Sequence, residues 1–332
     1  MSKILITGAA GFISSKLLYR LYKDGNDVIF LDNFSYCHDD NLVFEDKDFR
    51  KEILNVDIRN ERYLDTLFKE NNFDIVYHFA GITPLPDCQN NPAFAIDVNV
   101  KWTIILLELA RKYGVKKFIF ASTSAVYENN TDFPSVEENV RQPSLIYPNT
   151  KYAAELFLKS YFDCYNMPIT IFRFANVYGP HMDCLRTKPP VIAYIIKELY
   201  FDRSPVIHSS GNQERDFIYV DDLVDLAVKV GCDIKKISNV RKCDSQFEIL
   251  NVSSNKTISI NKIIEIIKTK MKKSHIDTIY EDPLNYWKEY SELYIGAFPI
   301  NKNLLEKEVQ KYTCLSNVPF HQFTKDGAER EK

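Results

Sequence analysis

Tyr147 and Lys151 stand four residues apart in Tyr147-Pro148-Asn149-Thr150-Lys151. That spacing puts a phenol and an ammonium on one face of a helix. A neighbouring ammonium favours the phenolate, so such a tyrosine can take a proton from an alcohol. Alone the pair is a common surface arrangement, but a cluster of hydroxyls precedes it: Phe120-Ala121-Ser122-Thr123-Ser124-Ala125-Val126-Tyr127. There an apolar run gives way to Ser and Thr, at the edge where a parallel sheet presents its ligand groups. A hydroxyl at that edge can hold the same oxygen that the phenol deprotonates.

A second constellation opens the chain. In Ile4-Leu5-Ile6-Thr7-Gly8-Ala9-Ala10-Gly11-Phe12-Ile13-Ser14 a strand, a glycine turn and a helix start follow one another directly. Gly8 permits the tight turn, and Gly11 lets backbone approach a pyrophosphate at the helix N-terminus, where Phe12 and Ile13 lie. Ser14 takes the place of the third glycine and is small enough for helix–strand packing. The next strand ends in Leu31-Asp32-Asn33. A carboxylate there accepts hydrogen bonds from a ribose 2′-hydroxyl and repels a 2′-phosphate, so the spacing predicts NAD rather than NADP.

The elements that must position these groups alternate. Strands are predicted at Ile4–Thr7, Asp27–Asp32, up to Asp57, Asp74–Phe79, Lys117–Ser122 and Ile169–Phe174. Helices are predicted at Phe12–Lys23, around Glu61–Glu70, at Val98–Tyr113 and at Tyr147–Asn166. Strands alternating with helices imply an α/β fold of the Rossmann type, a doubly wound parallel sheet covered on both faces. We read residues 1–177 as the nucleotide-binding domain, with part of 214–255 returning to it. The proline-punctuated remainder, 178–332, reads as a smaller α/β domain for the substrate.

Composition sets the class. The 332 residues are 45% hydrophobic and 26% charged, with a formal charge of −3. This is ordinary for a soluble globular chain and supplies no basic surface for nucleic acid or an anionic membrane. Cys37, Cys88, Cys164, Cys184, Cys232, Cys243 and Cys314 form no CxxC pair, and the six histidines form no HxxxH. Neither a disulfide framework nor a metal site is expected, and a reducing cytoplasm fits. Polar residues and glycines break up the apolar start, and no run is long enough to span a bilayer.

These residues together resemble the extended short-chain dehydrogenase/reductase family, in its branch of NAD-dependent sugar-nucleotide epimerases and dehydratases, and most nearly the UDP-glucose 4-epimerases. The resemblance runs from Ile4 to about Ser254. It takes in the loop at Gly8, Asp57-Ile58, His78-Phe79-Ala80-Gly81, Asn99-Val100, the Ser-Thr cluster and Tyr147 with Lys151. It continues through Arg173-Phe174-Ala175-Asn176-Val177-Tyr178-Gly179-Pro180 and Arg215-Asp216-Phe217-Ile218-Tyr219-Val220-Asp221-Asp222. The resemblance implies that Asp57 and Ile58 flank adenine and that Phe79, Ala80, Gly81 and Asn99 line the cofactor. It implies that Lys151 also holds the nicotinamide ribose, with Phe174 beside the nicotinamide. Thr123, four residues before the tyrosine of the Val126-Tyr127 pair, is then the catalytic hydroxyl, with Ser124 and Ala125 against the substrate. Asn176 and Arg215 match groups that bind the diphosphate of a nucleotide sugar. The sequence departs from the family pattern at Trp102, Glu128 and His181, and Lys288 is the candidate for a second diphosphate cation. A homodimer through a four-helix bundle is also implied, with Ile104, Ile105, Leu107, Leu156 and Phe157 as its apolar material.

The two residues after Thr123 discriminate between reactions. Dehydratases of this branch carry an acid there, whereas Ser124 and Ala125 cannot shuttle that proton. The expectation is a 4-epimerase that oxidises C4 with bound NAD and returns hydride to the other face. The alternatives are an NAD(P)H-dependent reductase of a 4-keto-6-deoxy sugar nucleotide, then a 4,6-dehydratase, then an NAD-binding regulator without turnover. Intact Thr123, Tyr147 and Lys151 speak against the last.

Overall fold

The computed structural model describes residues 2–37, 39–184, 189–232 and 246–282. In chain order the first elements are β1 (Lys3–Thr7), α1 (Phe12–Lys23), β2 (Asp27–Asp32), a small hairpin of β3 (Val43–Phe44) and β4 (Lys47–Asp48), and β5 (Leu54–Asn55). Then come α2 (Glu61–Asn71), β6 (Ile75–His78), α3 (Leu85–Asn90) and α4 (Pro92–Ile96), followed by a π-helical turn at Asp97–Lys101. α5 (Trp102–Lys112), β7 (Lys117–Thr123), α6 (Ile146–Tyr165), β8 (Ile169–Phe174), β9 (Asn176–Tyr178) and α7 (Val191–Tyr200) follow. The last are β10 (Val206–Ile207), β11 (Glu214–Tyr219), α8 (Val220–Cys232), β12 (Phe247–Val252), β13 (Thr257–Ser259), α9 (Ile260–Lys270) and β14 (Ile279–Tyr280).

The chain packs as two compact units. The first comprises residues 1–126, 142–174 and 219–252. Its seven-stranded sheet runs β12-β8-β7-β6-β1-β2-β5, parallel throughout. The order reverses between β1 and β6, which makes the carboxyl ends of these two strands the switch point where open α/β sheets bind ligands. Central strands are apolar along their whole length because both faces are covered: Ile4, Leu5 and Ile6 are each 0% exposed. On one face Leu5, Val76, Phe118 and Phe120 pack with Leu64, Phe68, Leu106, Leu107, Ala154 and Leu158 from α2, α5 and α6. On the other, the Tyr77 hydroxyl donates to the Ala227 carbonyl of α8 at 3.0 Å, and Lys117 Nζ donates to the Val230 carbonyl.

The second unit comprises the described residues within 127–141, 175–218 and 253–332. Residues 127–141 thus group with it although they lie early in the chain. It contains a three-stranded sheet in the order β13-β11-β9 and a parallel pair of β10 with β14. Ile192, Ile195 and Leu199 of α7 form its core with Ile260, Ile263, Ile264 and Ile267 of α9. His181 adopts a left-handed backbone with φ of 72°.

Two local readings change. The helix predicted from Val98 begins at Pro92, capped by the Asn91 side chain on the Phe94 N–H, and loosens into the π turn before α5. Leu107, named above as interface material, is fully buried in the core between α5 and the sheet. Leu156 and Phe157 are 55% and 46% exposed.

Candidate active site

At the switch point the Gly8 backbone is left-handed, with φ of 70°. A Cβ there would lie 2.7 Å from the Cα and N of Ala80, so glycine is required twice over, by conformation and by contact. The Ala80 N–H donates to Thr7 Oγ1, which joins the loop after β6 to the end of β1. Gly11 is the N-cap of α1 and brings no capping side chain, and the first turn carries no acid. The amino end of α1, at the half-buried Phe12 and Ile13, therefore keeps unpaired N–H groups and a positive pole for an anion. Ser14, in the place of the third glycine, is buried.

Asp32 ends β2 and is 8% exposed. Its Oδ2 accepts the Ala10 N–H at 3.1 Å and its Oδ1 the Phe34 N–H at 2.8 Å. Burial raises its pKa, opposed by hydrogen bonds from the Phe34 and Ala10 backbone and the Cys37 thiol. Exposed Asn33 donates to Asp57 Oδ2 at 2.8 Å. Arg59 grips the same carboxylate with Nε and Nη2 at 3.0 and 2.9 Å and holds its pKa down to about 2. Ile58 is buried beside it.

Behind the loop lies a polar chain that sequence reasoning had not singled out. His78 is fully buried, its Nδ1 2.8 Å from Thr7 Oγ1 and its Nε2 2.9 Å from Thr103 Oγ1. Burial, helped by the charge of Lys151, drops its pKa to about 3, so it is a neutral strut. Its sole sequence signal is its place in His78-Phe79-Ala80-Gly81.

Asn99 sits in the π turn, 1% exposed. Its Oδ1 accepts the Ile82 N–H, and its Nδ2 donates to the Ile82 carbonyl and to Thr150 Oγ1. It thereby ties the loop after β6 to α6. A Cβ on Gly81 would come within 3.0 Å of Asn99 Oδ1 and 3.1 Å of Lys151 Nζ, so a side chain there would press on both. Phe79 meets Phe174 edge to face, with centroids 5.7 Å apart.

Tyr147 and Lys151 share α6, the first half-buried in its amino-terminal turn and the second 2% exposed. Burial lowers the Lys151 pKa to about 8, against Cys88 and Glu155, which raise it. The ammonium lies 4.9 Å from the Phe120 ring centroid. Among the described residues it has neither an ion pair nor a hydrogen-bond acceptor. A buried ammonium left in this way, close against Gly81, suits a dinucleotide whose ribose hydroxyls can accept from it.

At the end of β7 the Thr123 hydroxyl accepts the Ala125 N–H at 3.1 Å, which leaves its proton for another oxygen. The Ser122 hydroxyl points to a different partner, the buried Glu155 carboxylate. Ser124 and Ala125 begin a half-buried 3₁₀ turn. In the second unit, exposed Asn176 donates to the Asp216 carbonyl at 2.9 Å, and Arg215 Nη1 donates to the Glu214 carbonyl at 2.7 Å. Asp216 itself is a buried anchor, accepting from the Ser254 N–H and hydroxyl and from the Lys256 N–H. Of the departures, Trp102 is buried in the core of the first unit and Glu128 is buried in the second. Lys288 lies outside the described residues.

The family described as the NAD dependent epimerase/dehydratase family matches residues 4–240. The human dTDP-D-glucose 4,6-dehydratase is 33% identical over 296 residues, covering 87% of this chain and 78% of that protein. The UDP-glucuronate 4-epimerase of Thermodesulfobacterium geofontis is 30% identical over 303 residues, 88% of this chain and 89% of its own. The crystal structure of a Thermotoga maritima UDP-glucose 4-epimerase with UDP-glucose superposes with a TM-score of 0.76 at 29% identity, covering 85% of this chain and 86% of that one. The chain belongs to the NAD-dependent epimerase/dehydratase family of nucleotide-sugar enzymes, with NAD as its cofactor.

Proposed function

We propose that this enzyme is a nucleotide-sugar 4-epimerase. Gly8, Gly11, Phe12 and Ile13 would hold the NAD pyrophosphate, Asp32 and Asn33 the adenosine ribose, and Asp57 and Ile58 the adenine. Phe79, Ala80, Gly81, Asn99, Tyr147, Lys151 and Phe174 would hold the nicotinamide half. NAD, when bound, would supply the hydride acceptor and donor for the sugar C4, with return to the opposite face as the epimerising event. Tyr147 removes the C4 hydroxyl proton and later restores it, and the Lys151 ammonium favours the phenolate. Thr123 donates its free proton to the same sugar oxygen and so orients it. Asn176 and Arg215 are the proposed ligands of the diphosphate, to which a guanidinium is well matched.

The observation that carries the 4-epimerase reading is the turn after Thr123. Ser124 and Ala125 occupy the places where elimination of water needs a proton shuttle, and neither can provide one. A 4,6-dehydratase is the second reading, because the human dehydratase is as similar as the epimerases are. A panel of UDP-, GDP-, CDP- and dTDP-hexoses without added reductant separates them. Interconversion of C4 epimers is the expected result. A 4-keto-6-deoxy product would establish the dehydratase; no conversion in this panel, with NAD(P)H consumed in a second assay on 4-keto-6-deoxy sugar nucleotides, would establish the reductase.

We also propose a homodimer through α5 and α6. Exposed Leu156 and Phe157, with half-buried Ile104 and Ile105, support a four-helix interface. A monomer mass by light scattering at micromolar concentration would count against it.

A further inference from the structure

Tyr147, Lys151 and Glu155 recur every fourth residue along α6, so one helix face carries a phenol, an ammonium and a carboxylate in succession. Glu155 is 3% exposed. Its carboxylate receives Nε and Nη2 of Arg173 at 3.1 and 2.6 Å, and also the Ser122 hydroxyl. Arg173 is itself 2% exposed. A buried ion pair is a weak source of net stability, because both charges lose their water. Its place in the fold suggests another use. Ser122 and Arg173 are register partners on β7 and β8, and the next partners are Thr123 and Phe174. One carboxylate thus ties the helix bearing Tyr147 and Lys151 to the strand ends that deliver Thr123 and Phe174.

We infer that Glu155, clamped by Arg173 and Ser122, is a positioning residue that sets Tyr147 and Lys151 against the strand end bearing Thr123. The inference rests on the proton-transfer reading of Tyr147. Glu155 acts as a charge as well as a brace. The titratable groups about Lys151 are Cys88 on α3, His78 on β6, and Tyr147 and Glu155 on its own helix, with Arg173 of β8 beyond Glu155. Burial pushes the Cys88 thiol up to about 11 and keeps His78 neutral, which leaves Glu155 as the carboxylate that helps Lys151 keep its proton.

The test uses the full-length enzyme with its NAD and a nucleotide sugar that the wild type turns over. Glu155→Gln keeps the shape and removes the charge, Ser122→Ala removes only the strap to β7, and Tyr147→Phe is the control. In Glu155→Gln the bound NAD and the KM should stay within about twofold, while kcat falls about tenfold, as expected for a lost alignment. Its alkaline limb should move to lower pH, because Lys151 gives up its proton more easily. Ser122→Ala should lower kcat less, with the limb in place. A folded Glu155→Gln with unchanged kcat and unchanged limb overturns the inference. Should Glu155→Gln not fold, Ser122→Ala decides: a lower kcat at constant KM supports the clamp, and an unchanged kcat overturns it. Full activity in Tyr147→Phe would instead overturn the base assignment beneath it, a result distinct from failure of the clamp alone.

Discussion

Gly8 and Ala80 touch across the switch point so closely that a single added methyl on Gly8 would stand 2.7 Å from the Ala80 backbone. The contact joins the loop after β1 to the loop after β6, and the proposed NAD site lies where these two loops meet. Gly8→Ala should therefore fail on two counts, left-handed strain and overpacking, with a combined cost of about 2–4 kcal/mol. Thermal unfolding and calorimetric titration with NAD check it: a lower Tm and weaker NAD binding are expected, and wild-type values would refute the account.

Asp32 is expected to set the cofactor preference. A buried carboxylate at the end of β2 repels a 2′-phosphate, so NAD should bind more tightly than NADP. Asp32→Ala should narrow that gap and lose some NAD affinity. Paired titrations with both dinucleotides measure this, and tighter NADP binding by the wild type would contradict it.

Tyr147→Phe should retain NAD while turnover falls by about two to four orders of magnitude, the size of a general-base contribution. Thr123→Val should lose less, because the phenol still meets the substrate. Single-turnover kinetics, with the NAD content of each purified variant, test both statements. Equal losses in the two variants would mean that Thr123 does more than orient.

His78 should make the fold acid-sensitive. Its folded pKa is depressed from 6.5 to about 3, so the unfolded chain binds a proton that the native state refuses. Stability on this account is full above pH 6.5 and declines as pH falls toward 3, by at most about 1.4 kcal/mol per pH unit. Urea unfolding across that range, compared with His78→Gln, isolates the contribution. A variant with the same pH slope as the wild type would remove His78 as its source.

Lys151 should act in the same sense at alkaline pH. Burial brings its pKa from 10.5 to about 8, so the cofactor-free fold carries a charge it disfavours. That destabilisation is relieved as pH rises from about 8 to 10.5, where the native state sheds its proton before the unfolded chain does. Denaturant melts of NAD-free protein should show the rise, and Lys151→Met should abolish it.

The order of strands and helices in the first unit was legible because each carries its own signature. Fully apolar runs such as Ile4–Ile6 mark strands covered on both faces, and Gly8 marks a left-handed turn that no other residue type makes as cheaply. Local chemistry likewise marked Asp32, Tyr147 and Lys151, whose spacing is a property of one element or of two consecutive ones. Partnerships between distant segments were not legible. Nothing near Asn99 announces that it will bridge Ile82 and Thr150, and it reaches them from a π turn that helical periodicity averages away. Nothing near Glu155 announces Arg173 and Ser122, since α6, β7 and β8 meet only when the sheet closes around them. Burial is likewise a property of the whole: it made His78 neutral, left the Lys151 ammonium without an acceptor among the described residues, and turned Leu107 from interface material into core. Sequence determines which groups exist and which lie on one element, because that information is local. Only the packed structure decides which of them meet and how strongly they hold their protons, because desolvation and long-range contacts arise when the elements assemble.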